Sequence, residues 1–168
     1  MRNHIKEILF ALSDGGVEYI VGGGVAAVLH GVERVTLDID IALNLTKENL
    51  GRFISVVSGL GMTPRVPVPL PSLGNPDVIR MMVHEKHALV FSLIDVNEPL
   101  RYLDVFLTED LAYPNLLPHS DVVAIDGRAI RIIGCAKLLA IKKAIQPPRD
   151  KDELDIRYLE KLLADKGL

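Results

Sequence analysis

The stretch Tyr19–Leu43, YIVGGGVAAVLHGVERVTLDIDIAL, places three consecutive glycines ahead of two aspartates that are separated by one residue. Residues 17–21 favour a short strand, and the Ala- and Val-rich residues 25–30 indicate one or two turns of helix. Residues 35–43 alternate as a strand does, so that one face is apolar and the other carries the polar residues. We expect the apolar face to hold Val35, Leu37, Ile39, Ile41 and Leu43, and the polar face to hold Thr36, Asp38, Asp40 and Ala42.

The two aspartates are unusual because aspartate is a poor strand residue and is costly to bury without a partner. Asp38 and Asp40 share one strand face, so their carboxylates repel and each raises the pKa of the other. A divalent cation between them removes that conflict, and Mg²⁺ commonly binds one or two carboxylates together with substrate phosphates. The spacing therefore predicts a metal platform.

A third acid occupies a similar setting in RYLDVFL, residues 101–107. Leu103 and Val105 are expected to face the core, which turns Asp104 to the other side. If this strand lies beside the Asp38 strand, three carboxylates converge, an arrangement that suits two metal ions ~4 Å apart. Asp95 in SLIDVN is an alternative third acid, ranked lower because it lies at a strand end where exposed acids are common.

The glycines Gly22, Gly23 and Gly24 leave backbone N–H groups uncovered at the predicted start of a helix. Such places bind phosphate readily. Taken alone, a plain turn that needs a positive φ explains the glycines better. The acids that follow shift the preference toward phosphate binding.

Composition narrows the class of protein. The chain has 168 residues and 18.5 kDa, the size of one ordinary domain, and its net charge of −3 disfavours non-specific binding of a nucleic-acid backbone. No apolar run approaches the roughly 20 residues of a membrane span, and the N-terminus lacks a signal-peptide core. Cys135 is the single cysteine, and a small buried thiol is expected there. These features predict a cytoplasmic protein without a membrane partner.

The rest of the chain predicts an α+β fold with a mixed or antiparallel sheet of about five strands, flanked by helices. Five prolines in residues 62–76 forbid a regular central strand and favour an extended loop or lid. We expect one domain over 1–168, with an α/β core over 1–133 and packed helices over 134–168. Helices are expected at 5–12, 46–59, 77–86, 136–145 and 151–163, and hairpins at 88–107 and 122–133.

Two glycines, a short helix, Asp-x-Asp on a strand and the later acid in LDVFL resemble the nucleotidyltransferase superfamily that includes DNA polymerase beta. The fuller pattern is similar to a small bacterial branch that contains abortive-infection-type toxin nucleotidyltransferases, minimal nucleotidyltransferases, and aminoglycoside and lincosamide adenylyltransferases. Arg34 and Thr36 match an arginine and a small hydroxyl residue that precede the acids in the toxin-like members. Gly23 and Gly24 depart from the family's usual glycine–serine pair.

The C-terminal stretch 136–163, AKLLAIKKAIQPPRDKDELDIRYLEKLL, also resembles that branch, whose members carry a helical lysine followed by an Arg/Lys-Asp-x-x-Asp element. Lys142 matches the lysine, with Lys143 as an alternative. Asp152 and Asp155 match the acids. The Pro-rich middle of the chain has no counterpart in the resemblance.

The resemblance implies magnesium-dependent transfer of a nucleoside monophosphate from an NTP to a hydroxyl acceptor, with release of pyrophosphate. Asp38, Asp40 and Asp104 would hold two Mg²⁺ ions, and Asp104 would help to activate the acceptor. The expected nucleotide-binding residues are Gly22, Gly23, Gly24, Arg34, Thr36, Lys142, Asp152 and Asp155.

Several alternatives stay open at this point. Arg34 could pair with Glu33 or with a solvent-facing acid, and Lys142 and Asp155 could be ordinary charges on two packed helices. The chain could also be a non-catalytic nucleotide- or partner-binding member, antitoxin-like or regulatory, or a protein whose acids bind calcium. The acceptor could be a small molecule, a protein or a tRNA end, and a homodimer is possible.

Overall fold

The computed structural model describes residues 3–168, which form one seven-stranded mixed sheet flanked by helices. The strands are β1 (Tyr19–Val21), β2 (Asp38–Leu43), β3 (Met62–Pro64), β4 (Val90–Asp95), β5 (Glu98–Phe106), β6 (Ser120–Ile125) and β7 (Arg128–Ile133). The helices are α1 (His4–Asp14), α2 (Gly23–Leu29), α3 (Lys47–Gly59), α4 (Pro76–His84), α5 (Tyr113–Leu116), α6 (Cys135–Ala144) and α7 (Asp150–Asp165).

The strand order β3-β4-β5-β2-β1-β7-β6 combines parallel and antiparallel pairs. β2 runs antiparallel to β1 and parallel to β5, while β1 runs parallel to β7. The outer pairs β3–β4, β4–β5 and β6–β7 are antiparallel. The predicted mixed sheet flanked by helices is confirmed, but the sheet has seven strands rather than about five.

The additional edge strand lies in the Pro-rich segment. β3 ends at Pro64 and pairs only with β4, which is possible because an edge strand does not need every backbone donor. Residues Leu70–Gly74 then form a 3₁₀ turn whose Leu70 and Leu73 are buried. The prediction of an extended loop or lid over 62–76 is therefore wrong for these parts, because two buried leucines anchor the segment to the core.

β2 is shorter than the alternation predicts. It begins at Asp38, while Val35 and Leu37 are 84% and 52% exposed instead of facing the core. Pairing with β5 begins only at Asp38, and Arg34 is held by an ion pair with Asp155 of α7. The residues before Asp38 therefore lie outside the sheet. The prediction that Val35 and Leu37 face the core is wrong, because alternation in this segment does not correspond to burial.

The two predicted hairpins are confirmed. β4 and β5 are joined through residues 96–97, and β6 and β7 turn at Asp126 and Gly127, which have φ values of 47° and 78°. Consecutive positive φ values are typical of the type I′ turn that suits the twist of a two-residue hairpin. None of the helices within residues 3–168 combines the length and apolar character needed to cross a membrane.

Buried apolar side chains fill the face of the sheet that carries Ile39 and Ile41. Tyr19 pairs with Leu43 and therefore shares that face, and its hydroxyl donates a hydrogen bond to the Leu9 carbonyl of α1. α1 thus covers the apolar face. Cys135 is a free, buried thiol, as the sequence predicts.

Asn49 of α3 connects three separate segments from a buried position. Its Oδ1 accepts from the Glu18 amide at 2.7 Å, and its Nδ2 donates to the carbonyls of Glu18 and Asn44 at 2.9 and 2.7 Å. The side chain is 1% exposed, so no water can replace these bonds. Asn49 therefore fixes the start of α3 against the beginning of β1 and the end of β2.

Substituting Asn49→Ala should reduce the free energy of unfolding by about 2–4 kcal/mol, because it leaves buried backbone groups without partners. Urea unfolding of the two proteins measures this difference. Asn115→Ala is the control, since the Asn115 amide makes one exposed hydrogen bond to the Glu109 carbonyl. Equal losses in the two variants would contradict the role given to Asn49.

Candidate active site

The pairing of β2 with β5 brings the three sequence-predicted acids onto one face of the sheet. Asp40 is the register partner of Asp104, and Asp38 is the partner of Tyr102. On the opposite face, Ile39 and Leu103 are buried in the core. The acids therefore point away from the core, with Asp40 and Asp104 on adjacent strands and Asp38 next along β2.

Asp95, the alternative third acid, has a structural role elsewhere. Its carboxylate accepts from the Asn97 amide at 2.9 Å and from Arg101 Nη1 at 2.9 Å. The Asn97 hydrogen bond and the Arg101 contact lower the pKa of Asp95 despite its burial. Asp95 is thus satisfied within the turn between β4 and β5.

The electrostatics of the three acids favour a bound cation. Burial raises the pKa of Asp40 to about 6, with further contributions from Asp104 and Asp38 that outweigh the opposing charges of Lys142 and Lys151. Burial also raises the pKa of Asp104, against a hydrogen bond from the Ser92 hydroxyl. Three carboxylates held together at neutral pH repel one another, and a divalent cation relieves that repulsion.

The donor set fits magnesium, because carboxylate oxygens are the hard ligands that this ion prefers. Among residues 3–168, however, no three His, Cys, Asp or Glu side chains lie close enough together to coordinate one metal ion as they stand. The structure therefore provides suitable ligands on neighbouring strands without a closed cage around a metal position.

The three glycines lie against the acids. The Gly22 amide donates to the Asp40 carbonyl at 2.8 Å, and α2 begins at Gly23 with a φ of 56°. A Cβ atom on Gly23 would overlap the Asp40 carboxylate, and one on Gly24 would lie 2.6 Å from Thr36 Oγ1 and 2.7 Å from Arg34 Nη2. The positive φ of Gly23 and its close approach to Asp40 exclude a side chain at that position, so the turn explanation is sufficient for this glycine and phosphate binding stays a prediction.

Beyond Gly24, a buried ion network joins the segment before β2 to the two C-terminal helices. Arg34 makes a bidentate contact with Asp155, from Nε at 2.7 Å and from Nη2 at 3.0 Å. Lys142 Nζ lies 2.8 Å from Asp155 Oδ2 and 3.1 Å from Asp152 Oδ1. Arg149 completes the network through Nε, 2.6 Å from Asp152 Oδ2. Three cations against two carboxylates leave one excess positive charge.

The network gives several sequence-predicted residues a definite place. Asp152 and Asp155 are 0% exposed, so their carboxylates contact basic side chains and not solvent. Lys142 is only 4% exposed and is therefore not an ordinary surface charge. Burial alone would raise the pKa of Asp152, but hydrogen bonds from Arg149 and Lys142 lower it to about 2. Lys143, the alternative lysine, instead pairs with Glu160 on the half-exposed side of the helices.

A cavity of about 520 Å³ opens beside Gly23 and Asp40, between α6 and the ends of β5 and β7. Its wall is mostly apolar, with polar groups near the acids. The lining includes Phe106, Ile133, Ile141, Lys137, Lys142 and Arg149.

Three residues of this region were not predicted from the sequence. Ser92, Phe106 and Arg149 were not assigned to the site, although Phe106 follows Asp104 on the same face of β5. Alternation along β5 could have identified Phe106. The place of Ser92 beside Asp104 depends on strand register, which no local pattern reveals.

The comparisons with known proteins identify the fold. No protein-family model and no curated protein matches the chain. The lincosamide antibiotic adenylyltransferase LnuA, solved with lincomycin bound, superposes with a TM-score of 0.63 at 17% identity, covering 96% of this chain and 98% of LnuA. ANT(2″)-Ia in complex with adenylyl-2″-tobramycin gives a TM-score of 0.58 at 19% identity, with 96% and 89% of the two chains covered.

A third match is an antigenic nucleotidyltransferase-like protein from Paracoccidioides brasiliensis, with a TM-score of 0.55 at 15% identity and coverage of 96% of this chain and 75% of that one. At such identities the likeness concerns the fold. The chain therefore has the nucleotidyltransferase fold, as the sequence resemblance implied, while membership of the abortive-infection branch stays a prediction.

Asp40→Asn should stabilise the metal-free protein at pH 8 by on the order of 2 kcal/mol. The folded-state pKa of Asp40 lies above the ordinary value of 3.8, so the folded protein still holds this proton at a pH where the unfolded chain has lost it. The free energy of unfolding of the wild type therefore decreases as the pH rises from about 4 through 6. The advantage of the variant should thus grow over that range and be absent at pH 3.5. Urea unfolding across pH tests this, with the exposed Asp77→Asn as control. A variant advantage that does not depend on pH would contradict it.

Asp155→Asn should lower the free energy of unfolding by about 3 kcal/mol, because it removes the buried charge that Arg34 and Lys142 share. Glu160→Gln is the matched control, since its pair with Lys143 is half exposed and contributes less than about 1 kcal/mol. Equilibrium urea unfolding at pH 7.5 compares the two. A loss in the Asp155 variant no larger than in the control would refute a structural role for the network.

Proposed function

We propose that this chain of nucleotidyltransferase fold is a magnesium-dependent nucleotidyltransferase that moves a nucleoside monophosphate from an NTP to a hydroxyl acceptor and releases pyrophosphate. The observation that carries the proposal is the register of Asp40 with Asp104, which gathers three carboxylates beside the glycine bend of residues 22–24. The adenylyltransferases LnuA and ANT(2″)-Ia, which share the fold, support the same class of reaction.

Asp38, Asp40 and Asp104 would hold the magnesium ions, which stabilise negative charge on the reacting and departing oxygens when bound. Asp104 also accepts the proton of the acceptor hydroxyl. Asp40, between Asp104 and the glycine bend, joins the acceptor side of the site to the phosphate side.

The leaving pyrophosphate would lie against the buried ion network. Arg34 reaches Gly24 and Thr36, and Lys142 lies close enough to Asp40 to lower its pKa. The amides of Gly22–Gly24 contribute donors at the same place. Asp152 and Asp155 would not contact the phosphates themselves. They would hold the basic side chains of the network in fixed positions, with one excess positive charge toward the phosphates.

The nucleoside part of the NTP would occupy the cavity of about 520 Å³. This cavity borders Asp40, Lys142 and Arg149, so a group attached to the bound phosphates enters it directly. Phe106 offers an aromatic ring in its wall, and a base can stack on such a ring. The space is adequate for one nucleoside.

One observation favours a second candidate, a non-catalytic nucleotide-binding protein, antitoxin-like or regulatory. Arg34 and Lys142 already have buried acidic partners, so part of the positive charge available to phosphates is compensated. Such a protein would bind an NTP without turning it over. The acceptor, a homodimer and a place in a toxin–antitoxin pair stay predictions.

Incubation of the protein with each α-labelled NTP, Mg²⁺ and a mixture of hydroxyl acceptors, followed by assay of labelled product and of pyrophosphate, tests the enzyme assignment. We expect pyrophosphate release that Asp38→Asn lowers on the order of 100-fold or more, because a ligand of the metals is lost. Asp77→Asn, at an exposed site on α4, makes the same charge change and should retain full activity.

The folded state of each variant is checked by circular dichroism, since Asp38 is exposed and its substitution should leave the fold intact. NTP binding without pyrophosphate release in the wild type would support the non-catalytic candidate. Wild-type rates in Asp38→Asn would exclude the metal assignment.

A further inference from the structure

A row of polar side chains crosses four strands on the acid face of the sheet. Asp40 pairs with Asp104, and Asp104 pairs with Ser92 of β4. Arg65 directly follows β3 and continues its register, because its amide donates to the Ser92 carbonyl at 2.9 Å, one residue beyond the Pro64–Leu93 pair. Directly opposed residues share a sheet face, so Arg65 extends the row of acids to the sheet edge.

The guanidinium of Arg65 differs from those of the other described arginines. Within residues 3–168, every other arginine lies within 4.0 Å of a carboxylate or donates to a hydroxyl, namely Arg34, Arg52, Arg80, Arg101, Arg128, Arg131, Arg149 and Arg157. Arg65 makes no such contact with those residues and is exposed. Its charge opposes, in part, the rise that burial causes in the pKa of Asp104.

The position of Arg65 separates it from the proposed phosphate site. Adjacent strands lie about 4.8 Å apart, which places its backbone roughly 10 Å from β5 and roughly 14 Å from β2. Gly24 and the ion network lie on the far side of β2, next to β1 and α2. The Arg65 side chain can therefore approach Ser92 and Asp104 but is remote from the leaving pyrophosphate.

We infer that Arg65 determines acceptor specificity by binding a phosphate or carboxylate carried by a small hydroxyl compound. The inference rests on the proposed function, in which the acceptor hydroxyl lies at Asp104. The guanidinium fork matches both anions in a bidentate manner. Ser92 lies between Asp104 and Arg65 in the row, so it borders the space that the anionic group would occupy.

The chemistry balances without a further reactant. The acceptor oxygen forms a bond to the α-phosphorus, the bond from that phosphorus to the bridging oxygen breaks, and pyrophosphate leaves with the electron pair. The hydroxyl proton passes to Asp104. Arg65 holds the acceptor's anionic group away from the three carboxylates, which otherwise repel it. A polycation such as tobramycin, named in the ANT(2″)-Ia complex, would instead meet Arg65 unfavourably.

Calorimetric titration of the full chain, saturated with Mg²⁺ and a non-hydrolysable ATP analogue, tests the inference. Glucose, glucose 6-phosphate, glucuronate and glucosamine share one ring and differ in charge. We expect at least one anionic sugar to bind about ten-fold tighter than glucose, which is the gain that one charge-assisted hydrogen-bonded contact provides. Glucosamine should bind more weakly than glucose. The two anionic sugars show whether phosphate or carboxylate is preferred.

Arg65→Gln should reduce the affinity for the anionic sugars to that for glucose. Arg80→Gln removes the same charge from an exposed arginine of α4 and should leave the preference intact. Anionic sugars that bind no tighter than glucose, a preference that survives in Arg65→Gln, or displacement of the ATP analogue by glucose 6-phosphate would each overturn the inference. Failure of the analogue itself to bind would instead count against the proposed function.

Discussion

Repulsion among three carboxylates is the constraint around which this structure is organised. The parallel pairing of β2 with β5 puts Asp40 and Asp104 on neighbouring strands, and Asp38 lies on the same face. Burial makes the ionised form of Asp40 costly, as its raised pKa shows. A protein that only needed stability would place apolar residues there, and in the proposed function bound cations supply the missing charge.

The surrounding elements accommodate the acids in different ways. Close approach of the Gly23 backbone to the Asp40 carboxylate allows α2 to begin directly over the site, which any side chain at Gly23 would prevent. The C-terminal helices contribute Lys142 and Arg149, held by buried Asp152. Stability and chemistry are therefore coupled, because the ion pairs that fix α6 and α7 also set the charge beside the proposed phosphates.

Local sequence patterns correctly predicted the features of the fold that depend on neighbouring residues. The placement of Asp104 opposite the core followed from alternation along β5, and the helix and hairpin positions followed from spacing and turn residues. The alternation failed at Val35, because an ion pair of Arg34 with Asp155, far along the chain, draws that segment out of the sheet. The place of Ser92 depends on long-range register, which the sequence does not display.

The site has an asymmetry of charge that gives direction to the proposed reaction. On one side of the acids, a network with one excess positive charge is fixed by the buried carboxylates of Asp152 and Asp155, as suits a triphosphate that every turnover must bind in the same way. On the other side, the cation is a single exposed arginine at the sheet edge, Arg65, with no ion pair to a described residue. An exposed edge residue can change without disturbing the core, because its loss removes no buried partner. In the proposed function, acceptor choice can therefore vary through this edge residue without a change to the acids or to the phosphate side, and the neighbours of the same fold are named for different antibiotics.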